Sequence, residues 1–249
     1  MNWSIVGWVV IGLSALMLVI FSLIEKKPDF YSTRRSVSSE GLKKAQTAAI
    51  ERGQPRLIAI GDKYWSRTYP GLGLHALTAL PILANAENTA DGGLSVSCGD
   101  GSLVVLARQI VQSDYVNGFS MELSNPRVRT ILPGPTQLSY SVGLLSELGL
   151  QKYGSIALLG NYGPEAILWT EAVQSRGGYV FAAAGSLISQ AALLFNVRDL
   201  VIGESVFSTA GLLTSNEVDQ TRWLTEDILR VLLILSLIAG VIMKLVGVL

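Results

Sequence analysis

Two long apolar runs, one at each end of the chain, constrain its fold more than any other feature of the sequence. The first, from Trp3 to Ile24, has no charged residue over about 22 positions, enough for a helix to cross a hydrocarbon core of about 30 Å. The second, from Val231 to Leu249, has about 19 residues and a single charge, Lys244. We therefore expect a two-pass membrane protein with a central domain between its anchors.

Basic residues are concentrated just after the first apolar run. Six lysines and arginines lie between Lys26 and Lys44, whereas no charged side chain precedes the run. Such an imbalance places the basic side in the cytoplasm. We therefore expect a protein of the cell (inner) membrane with a cytoplasmic central domain and both termini on the outer side. Because the run is long and lacks a small-residue cleavage motif, we interpret it as an uncleaved anchor rather than a signal peptide.

The charge and hydropathy pattern divides the chain into four segments. Residues 1–24 are the first transmembrane anchor, and residues 25–55 are a basic juxtamembrane linker whose cations can contact anionic lipid headgroups. Residues 56–216 are the central domain, and residues 217–249 hold the second transmembrane helix with its lead-in. Within the linker, the spacing of residues 41–52 predicts a short helix lying on the domain.

Short apolar segments that end in glycine alternate with longer segments of helical spacing in the central domain. The predicted strands are residues 57–60, 94–97, 128–132, 156–159, 179–184 and 200–202. The predicted helices are residues 72–85, 102–112, 137–148, 164–175 and 187–195. We expect the fourth helix to start with Pro164 at its first position and Glu165 in its first turn. This strict alternation predicts a single doubly wound, mostly parallel α/β sheet domain.

Polar residues follow the predicted strands. In a parallel sheet the carboxyl ends of the strands meet at one edge, and ligands bind there where the strand order reverses. The candidate ligand-binding residues at this edge are Asp62, Asp100, Asn161, Tyr162, Glu165, Ser186, Glu204 and Ser205. The segment from Gly160 to Gly163 lacks the third glycine of a dinucleotide-binding loop and the Lys-Ser/Thr of a P-loop, so a tight turn is the favoured interpretation.

Few side chains are suited to catalysis. Cys98 is the only cysteine and His75 the only histidine, and they lie on different predicted elements. We therefore favour a small buried cysteine over a nucleophile, and Asp100 as the N-cap of the helix that follows. The carboxylates have no metal-ligand spacing. We predict no catalytic residue, no metal site and no cofactor.

The remaining signals concern partners. With 19 basic and 19 acidic residues, the chain has no charge excess typical of nucleic-acid binding, so membrane lipids are the expected non-protein partner. In the second apolar run, Ser236, Gly240 and Gly247 place small residues where another helix can approach closely. Two helices cannot enclose a pore, and Lys244 is interpreted as reaching the outer surface rather than marking an ion path.

Four short motifs occur in a fixed order: Ser97-Cys98-Gly99-Asp100-Gly101-Ser102, then residues 159–166, then residues 184–193, then residues 202–207. In this order they resemble an uncharacterised bacterial family of membrane proteins that carry a domain of unknown function followed by a C-terminal membrane helix. The resemblance covers most of residues 56–249. It implies an α/β domain at the membrane and no particular activity.

Three hypotheses of function follow. The leading one is a membrane-anchored, non-catalytic assembly or scaffold protein that self-associates, as a homo-oligomer or within a larger membrane complex, through its cytoplasmic α/β domain and membrane helices. The alternative is a small-ligand binding or sensing module that uses the loops at the carboxyl ends of the strands. The third is a membrane-bound hydrolase or transferase that uses Cys98 or the carboxylates.

Overall fold

A computed structural model of the protein describes residues 37–61, 71–85, 93–117, 128–213, 229–231 and 233–234. The chain divides into two compact units, one of Arg35–Thr214 and one of Met1–Arg34 with Ser215–Leu249. The few described residues of the second unit are helical. No helix within the described ranges is long and apolar enough to cross a membrane. Because the two predicted transmembrane helices lie almost wholly outside those ranges, they stay predictions.

Strands and helices alternate along the first unit. The strands are β1 (Arg56–Gly61), β2 (Leu94–Cys98), β3 (Val128–Ile131), β4 (Ser155–Gly160), β5 (Tyr179–Ala184) and β6 (Asp199–Val201). The helices are α1 (Val37–Glu51), α2 (Leu72–Ala76), α3 (Leu80–Asn85), α4 (Gly101–Asn117), α5 (Gln137–Leu150), α6 (Ala166–Gln174), α7 (Leu187–Leu194) and α8 (Thr209–Leu213). Two 3₁₀ helices, Leu77–Ala79 and Gly203–Ser208, complete the order. All six predicted strands are confirmed to within one or two residues.

The six strands form one parallel sheet in the order β3-β2-β1-β4-β5-β6. This confirms the predicted mostly parallel α/β sheet. The order reverses between β1 and β4, which are adjacent although two other strands separate them in sequence. Their register pairs Arg56 with Ser155 at one end and Gly61 with Gly160 at the other. The carboxyl ends of β1 and β4 therefore lie side by side at the reversal point.

Helices α5, α6 and α7 pack on one face of the sheet. Their inward side chains join those of β1, β4 and β5 in a single apolar cluster. Trp169 of α6 is completely buried in this cluster, with Tyr140 and Tyr162 edge-on to it at ring-centroid distances of 5.6 and 5.3 Å. Edge-to-face pairs contribute about 0.5–1.5 kcal/mol each beyond the burial of area.

Helix α1 lies across strands β6, β5 and β4. The helix predicted at residues 41–52 is therefore confirmed, with a start four residues earlier. It buries Leu42 and Ala49, and Gly41 lies so close to Tyr179 and Asp199 that an added Cβ would be 2.5 Å from the Tyr179 hydroxyl. The second half of the segment interpreted as a linker thus packs against the sheet.

Three predicted helices differ from those observed, and the simplest difference is that the helix predicted at residues 102–112 continues to Asn117 as α4. The helix predicted at residues 72–85 is interrupted by the 3₁₀ turn Leu77–Ala79, because Pro81 has no N–H to donate to the Leu77 carbonyl. The Leu80 N–H bonds to that carbonyl instead. The fourth predicted helix begins at Ala166, not at Pro164. Pro164 and Glu165 form a turn, whose carbonyls accept from Ile167 (3.3 Å) and Leu168 (3.0 Å) in the tighter i+3 pattern.

Candidate functional site

The candidate ligand-binding residues are distributed over the carboxyl edge of the sheet. Asp62 lies outside the described residues. Glu204 and Ser205 belong to the 3₁₀ helix Gly203–Ser208 after β6, where Ser205 is half-buried. Asp100 follows β2, and Ser186 follows β5. Asn161, Tyr162 and Glu165 lie in the connection between β4 and α6, next to the point where the strand order reverses.

Tyr162 covers the carboxyl ends of β1 and β4. Its ring packs so closely on Gly61 that a side chain at that position would overlap it. Its buried hydroxyl donates to the backbone carbonyls of Ala59 (2.5 Å) and Leu159 (3.0 Å). Burial, followed by the nearby Tyr140, raises the pKa of Tyr162 well above its ordinary value. An aromatic side chain of this protein thus lies where a doubly wound sheet usually receives a ligand.

Backbone contacts hold the same turn in place. The N–H of the buried Asn161 donates to the Gly61 carbonyl (2.8 Å), which ties the loop after β4 to the end of β1. Gly160 has a φ of 120° and lies against the Gly61 carbonyl, so only glycine fits there. The glycines at these two strand ends are therefore required by close backbone approach.

Glu165 joins the start of α5 to the turn after β4. Its Oε1 accepts from Gln137 Nε2 (2.6 Å) and from the Gly163 N–H (3.0 Å). Gln137 is the first residue of α5, and Thr136 caps that helix in a reciprocal pair with Ser139. The Glu165 carboxylate therefore links the turn after β4 to the first residue of α5 through these hydrogen bonds.

Ser186 connects the turn after β4 with the start of α7. Its hydroxyl donates to the Tyr162 carbonyl (2.8 Å) and accepts from the Ser189 N–H (3.1 Å) as the N-cap of α7. Gln190 Nε2 donates to the Ala184 carbonyl (2.7 Å) at the end of β5. The structure thus brings Asn161, Tyr162, Glu165 and Ser186 together through contacts within the chain.

The residues considered for catalysis are buried or make contacts within the fold. Cys98 is fully buried, and burial raises the pKa of its thiol to about 12, so the thiolate needed for nucleophilic attack is scarce at neutral pH. His75 is half-buried with its ring 5.6 Å from that of Phe207. Asp100 caps α4, accepting from the Ser102 N–H (2.7 Å) and hydroxyl (2.5 Å), as expected. Within the described ranges, no group of three or more His, Cys, Asp or Glu could hold a metal ion.

Sequence reasoning missed the partners that organise this edge. Gln137 and Gln190 carry hydrogen bonds between elements, and neither has a distinguishing local pattern. Thr136 could have been identified, because Thr136 and Ser139 have the spacing of a helix N-cap. The proposed helix-packing residues Ser236, Gly240 and Gly247 lie outside the described residues.

Large apolar side chains are exposed on the three helices that cover one face of the sheet. Those of α5 are Leu138, Val142 and Leu150, those of α6 are Ile167 and Leu168, and those of α7 with the next residue are Leu187, Ile188, Leu194 and Phe195. Scattered apolar residues are normal on a protein surface, but several on neighbouring helices are typical of an interaction surface.

The fold defines an α/β protein with a doubly wound, six-stranded parallel sheet. Among known proteins, a family described as a domain of unknown function (DUF6754) matches residues 2–249, and the chain belongs to that family. The predicted resemblance to an uncharacterised family is thereby confirmed, whereas bacterial origin and membrane location stay predictions. No curated protein and no solved structure matches the chain.

Proposed function

We propose that this protein is a membrane-anchored, non-catalytic assembly or scaffold protein that self-associates through its α/β unit and its membrane helices. The observation that carries the proposal is the exposed apolar surface of α5, α6 and α7. An aliphatic side chain left in water forfeits about 1.5–3 kcal/mol of burial free energy. Covering several of them by association is therefore favourable.

The hydrogen bonding at the sheet edge favours the same role over ligand binding. The side chains of Asp100, Tyr162, Glu165 and Ser186 are each bonded to another part of the chain. A ligand that recruited these groups would first have to break those bonds, at a cost of about 0.5–1.5 kcal/mol each. Their present partners stabilise the turns that hold the edge together.

The two terminal apolar runs support assembly in a membrane. Anchors confine copies of the chain to one layer and one orientation, which raises their effective concentration. The small residues Ser236, Gly240 and Gly247 would allow membrane helices to approach closely. The positive-inside bias then puts the α/β unit in the cytoplasm, as the proposal requires.

The stoichiometry of the purified full chain tests this proposal. We expect a defined oligomer by light scattering, both in mild detergent and after reconstitution into lipid nanodiscs. Replacing Ser236 and Gly240 with leucine should weaken the oligomer if the membrane helices contribute to it. A monomer at every protein concentration in both environments would overturn self-association.

A small-ligand binding or sensing module is the second candidate, and the strand order favours it. Doubly wound sheets bind ligands where the order reverses, which here is the junction of β1 and β4 beside Asn161 and Tyr162. A thermal-shift screen of nucleotides and polar metabolites tests this role. A saturable shift that Asn161→Ala or Glu204→Ala abolishes would support ligand binding, and the absence of any shift would count against it.

A further inference from the structure

Helix α7 has an unusual distribution of side chains for a surface helix. Leu187, Ile188 and Leu194 are 74%, 65% and 63% exposed, and Phe195, just after the helix, is 89% exposed. Ala191 is exposed between them, whereas Ser189 is fully buried. Surface helices normally turn polar residues outward. We call Leu187, Ile188, Ala191, Leu194 and Phe195 the α7 surface.

The five side chains of the α7 surface lie on one side of the helix. At 3.6 residues per turn, their positions fall within an arc of about 120°. No residue from Leu187 to Phe195 is charged. The α7 surface is therefore a continuous apolar stripe along one side of the helix, with its smallest residue, Ala191, at the middle.

Hydrogen bonds fix both ends of this helix. Ser186 caps its start, and at its end the Val197 N–H donates to the Leu193 carbonyl (2.7 Å). Asn196 Nδ2 donates to Thr170 Oγ1 (2.7 Å), and Gln174 Nε2 donates to the Asn196 carbonyl (2.8 Å). Phe195 is thus held in an ordered turn, and a partner would meet a preorganised surface.

We propose that the α7 surface is a twofold contact with a second copy of this chain, an inference that rests on the proposed self-association. The stripe is self-complementary because it carries no charge that would meet its own copy. Its exposed apolar area is on the order of 500 Å² per chain, so that two copies together reach about 1,000 Å², the lower bound for a specific interface. A lipid surface is a poorer occupant, because membrane-surface helices carry lysine or arginine on their polar side and α7 has neither.

The twofold axis passes close to Ala191. Its small side chain lets the two helices approach closely. Because a twofold axis perpendicular to α7 makes the two helices antiparallel, Phe195 of each copy packs against Leu187 and Ile188 of the other. Aromatic and aliphatic anchors packed in this way are typical of the energetic centre of an interface.

Charge insertion tests the contact in the full chain reconstituted in nanodiscs. Ala191→Glu places like charges across the axis, and Phe195→Glu buries a charge against Leu187 and Ile188 of the other copy. We expect either change to make the oligomer dissociate about 100-fold more readily. Thr47→Glu, at an exposed position of α1 outside the apolar surface of α5, α6 and α7, is the matched control and should leave the oligomer intact. Unchanged melting temperatures would show that each variant is folded.

Disulfide trapping gives a second readout that does not depend on destabilising the oligomer. In a Cys98→Ala background, Ala191→Cys should form a cross-linked dimer under mild oxidation, whereas Thr47→Cys on α1 should not. A wild-type oligomer that resists both glutamate variants and gives no cross-link at position 191 would overturn the α7 contact while leaving self-association standing. A monomeric wild type would overturn both.

Discussion

Gly61 and Tyr162 depend on each other where the strand order reverses. The ring packs directly on the glycine, and a methyl group at position 61 would overlap both the ring and the Asn161 carbonyl. We expect Gly61→Ala to lower the free energy of unfolding by about 1–3 kcal/mol, as overpacking of a close contact does. Gly101→Ala is the control, because an added Cβ there meets nothing within 4 Å. Denaturant melts of both variants measure the difference, and equal stabilities would contradict this packing.

The buried thiol of Cys98 predicts a loss of stability in alkali. Burial raises its pKa from 9.0 to about 12, so above pH 9 the unfolded chain loses a proton that the folded chain keeps. The contribution of the protonated thiol to the free energy of unfolding is therefore complete below pH 9 and is lost as the pH rises towards about 12. Between pH 9 and 11, wild-type stability should fall more steeply than that of Cys98→Ala, by up to about 1.4 kcal/mol per pH unit. Parallel slopes in denaturant melts at pH 8, 9, 10 and 11 would contradict this.

At the scale of single residues, the sequence indicated which polar residues lie at the sheet edge but not which groups they bond to. Polar residues after each strand were recognisable, because apolar strands end there in glycine. The roles of Glu165 and Ser186 depend on Gln137 and on the Tyr162 carbonyl, which lie 28 and 24 positions away in the chain. No local pattern specifies such pairs, so the sequence could not show which parts of the chain these side chains bond to.

Helix α4 depends on the carboxylate of Asp100, the residue that caps its start. Asp100 accepts from the Ser102 hydroxyl and N–H, which hold its pKa below the ordinary value in that order of importance. We expect Asp100→Ala to cost about 1 kcal/mol at neutral pH, a typical value for an N-cap. The ionised cap contributes fully above about pH 4 and is lost as the pH falls below that value.

The difference between wild type and Asp100→Ala should therefore shrink below about pH 4. Asp100→Asn is the informative control, since it keeps an N-cap acceptor without the titrating charge. Thermal melts from pH 3 to 7 make the comparison. A gap between wild type and Asp100→Ala that did not narrow in acid would show that the carboxylate does not stabilise α4 in its charged form.

Helices and strands were predictable from the sequence wherever a local pattern determines them. Strands buried on both faces leave apolar runs that are hard to mistake. Helix α1 begins four residues before the predicted start, so Gly41, a poor helix former, lies inside it. The glycine has a tertiary cause, since a side chain would collide with Tyr179 and Asp199 on the sheet. The break before α3 followed from Pro81 and could have been anticipated.

At the scale of the molecule, alternation predicts a parallel sheet but not the order of its strands. Right-handed crossovers leave more than one doubly wound order open, and the buried strands are too similar in composition to specify their neighbours. The observed order places β1 next to β4, and it is this pairing that brings Tyr162 onto Gly61. The sequence therefore could not show that Tyr162 covers the point where the strand order reverses. That position of Tyr162 weakens the case for a ligand there.

The predicted membrane topology is open to a direct test because Cys98 is buried and the sequence holds no other cysteine. In a Cys98→Ala background, single cysteines at Asn2, Lys152 and Val248 would report their exposure to a membrane-impermeant maleimide. The positive-inside bias predicts labelling of Asn2→Cys and Val248→Cys in intact cells, and of the exposed Lys152→Cys only after permeabilisation.

Each of the three introduced cysteines tests a separate part of the predicted topology. Labelling of Lys152→Cys in intact cells would reverse the orientation and remove the cytoplasmic α/β unit from the proposed function. Labelling of Asn2→Cys but not Val248→Cys would mean that the second apolar run does not cross the membrane. In that case Ser236, Gly240 and Gly247 could not pack a second anchor against other membrane helices, and self-association would depend more heavily on the α7 surface.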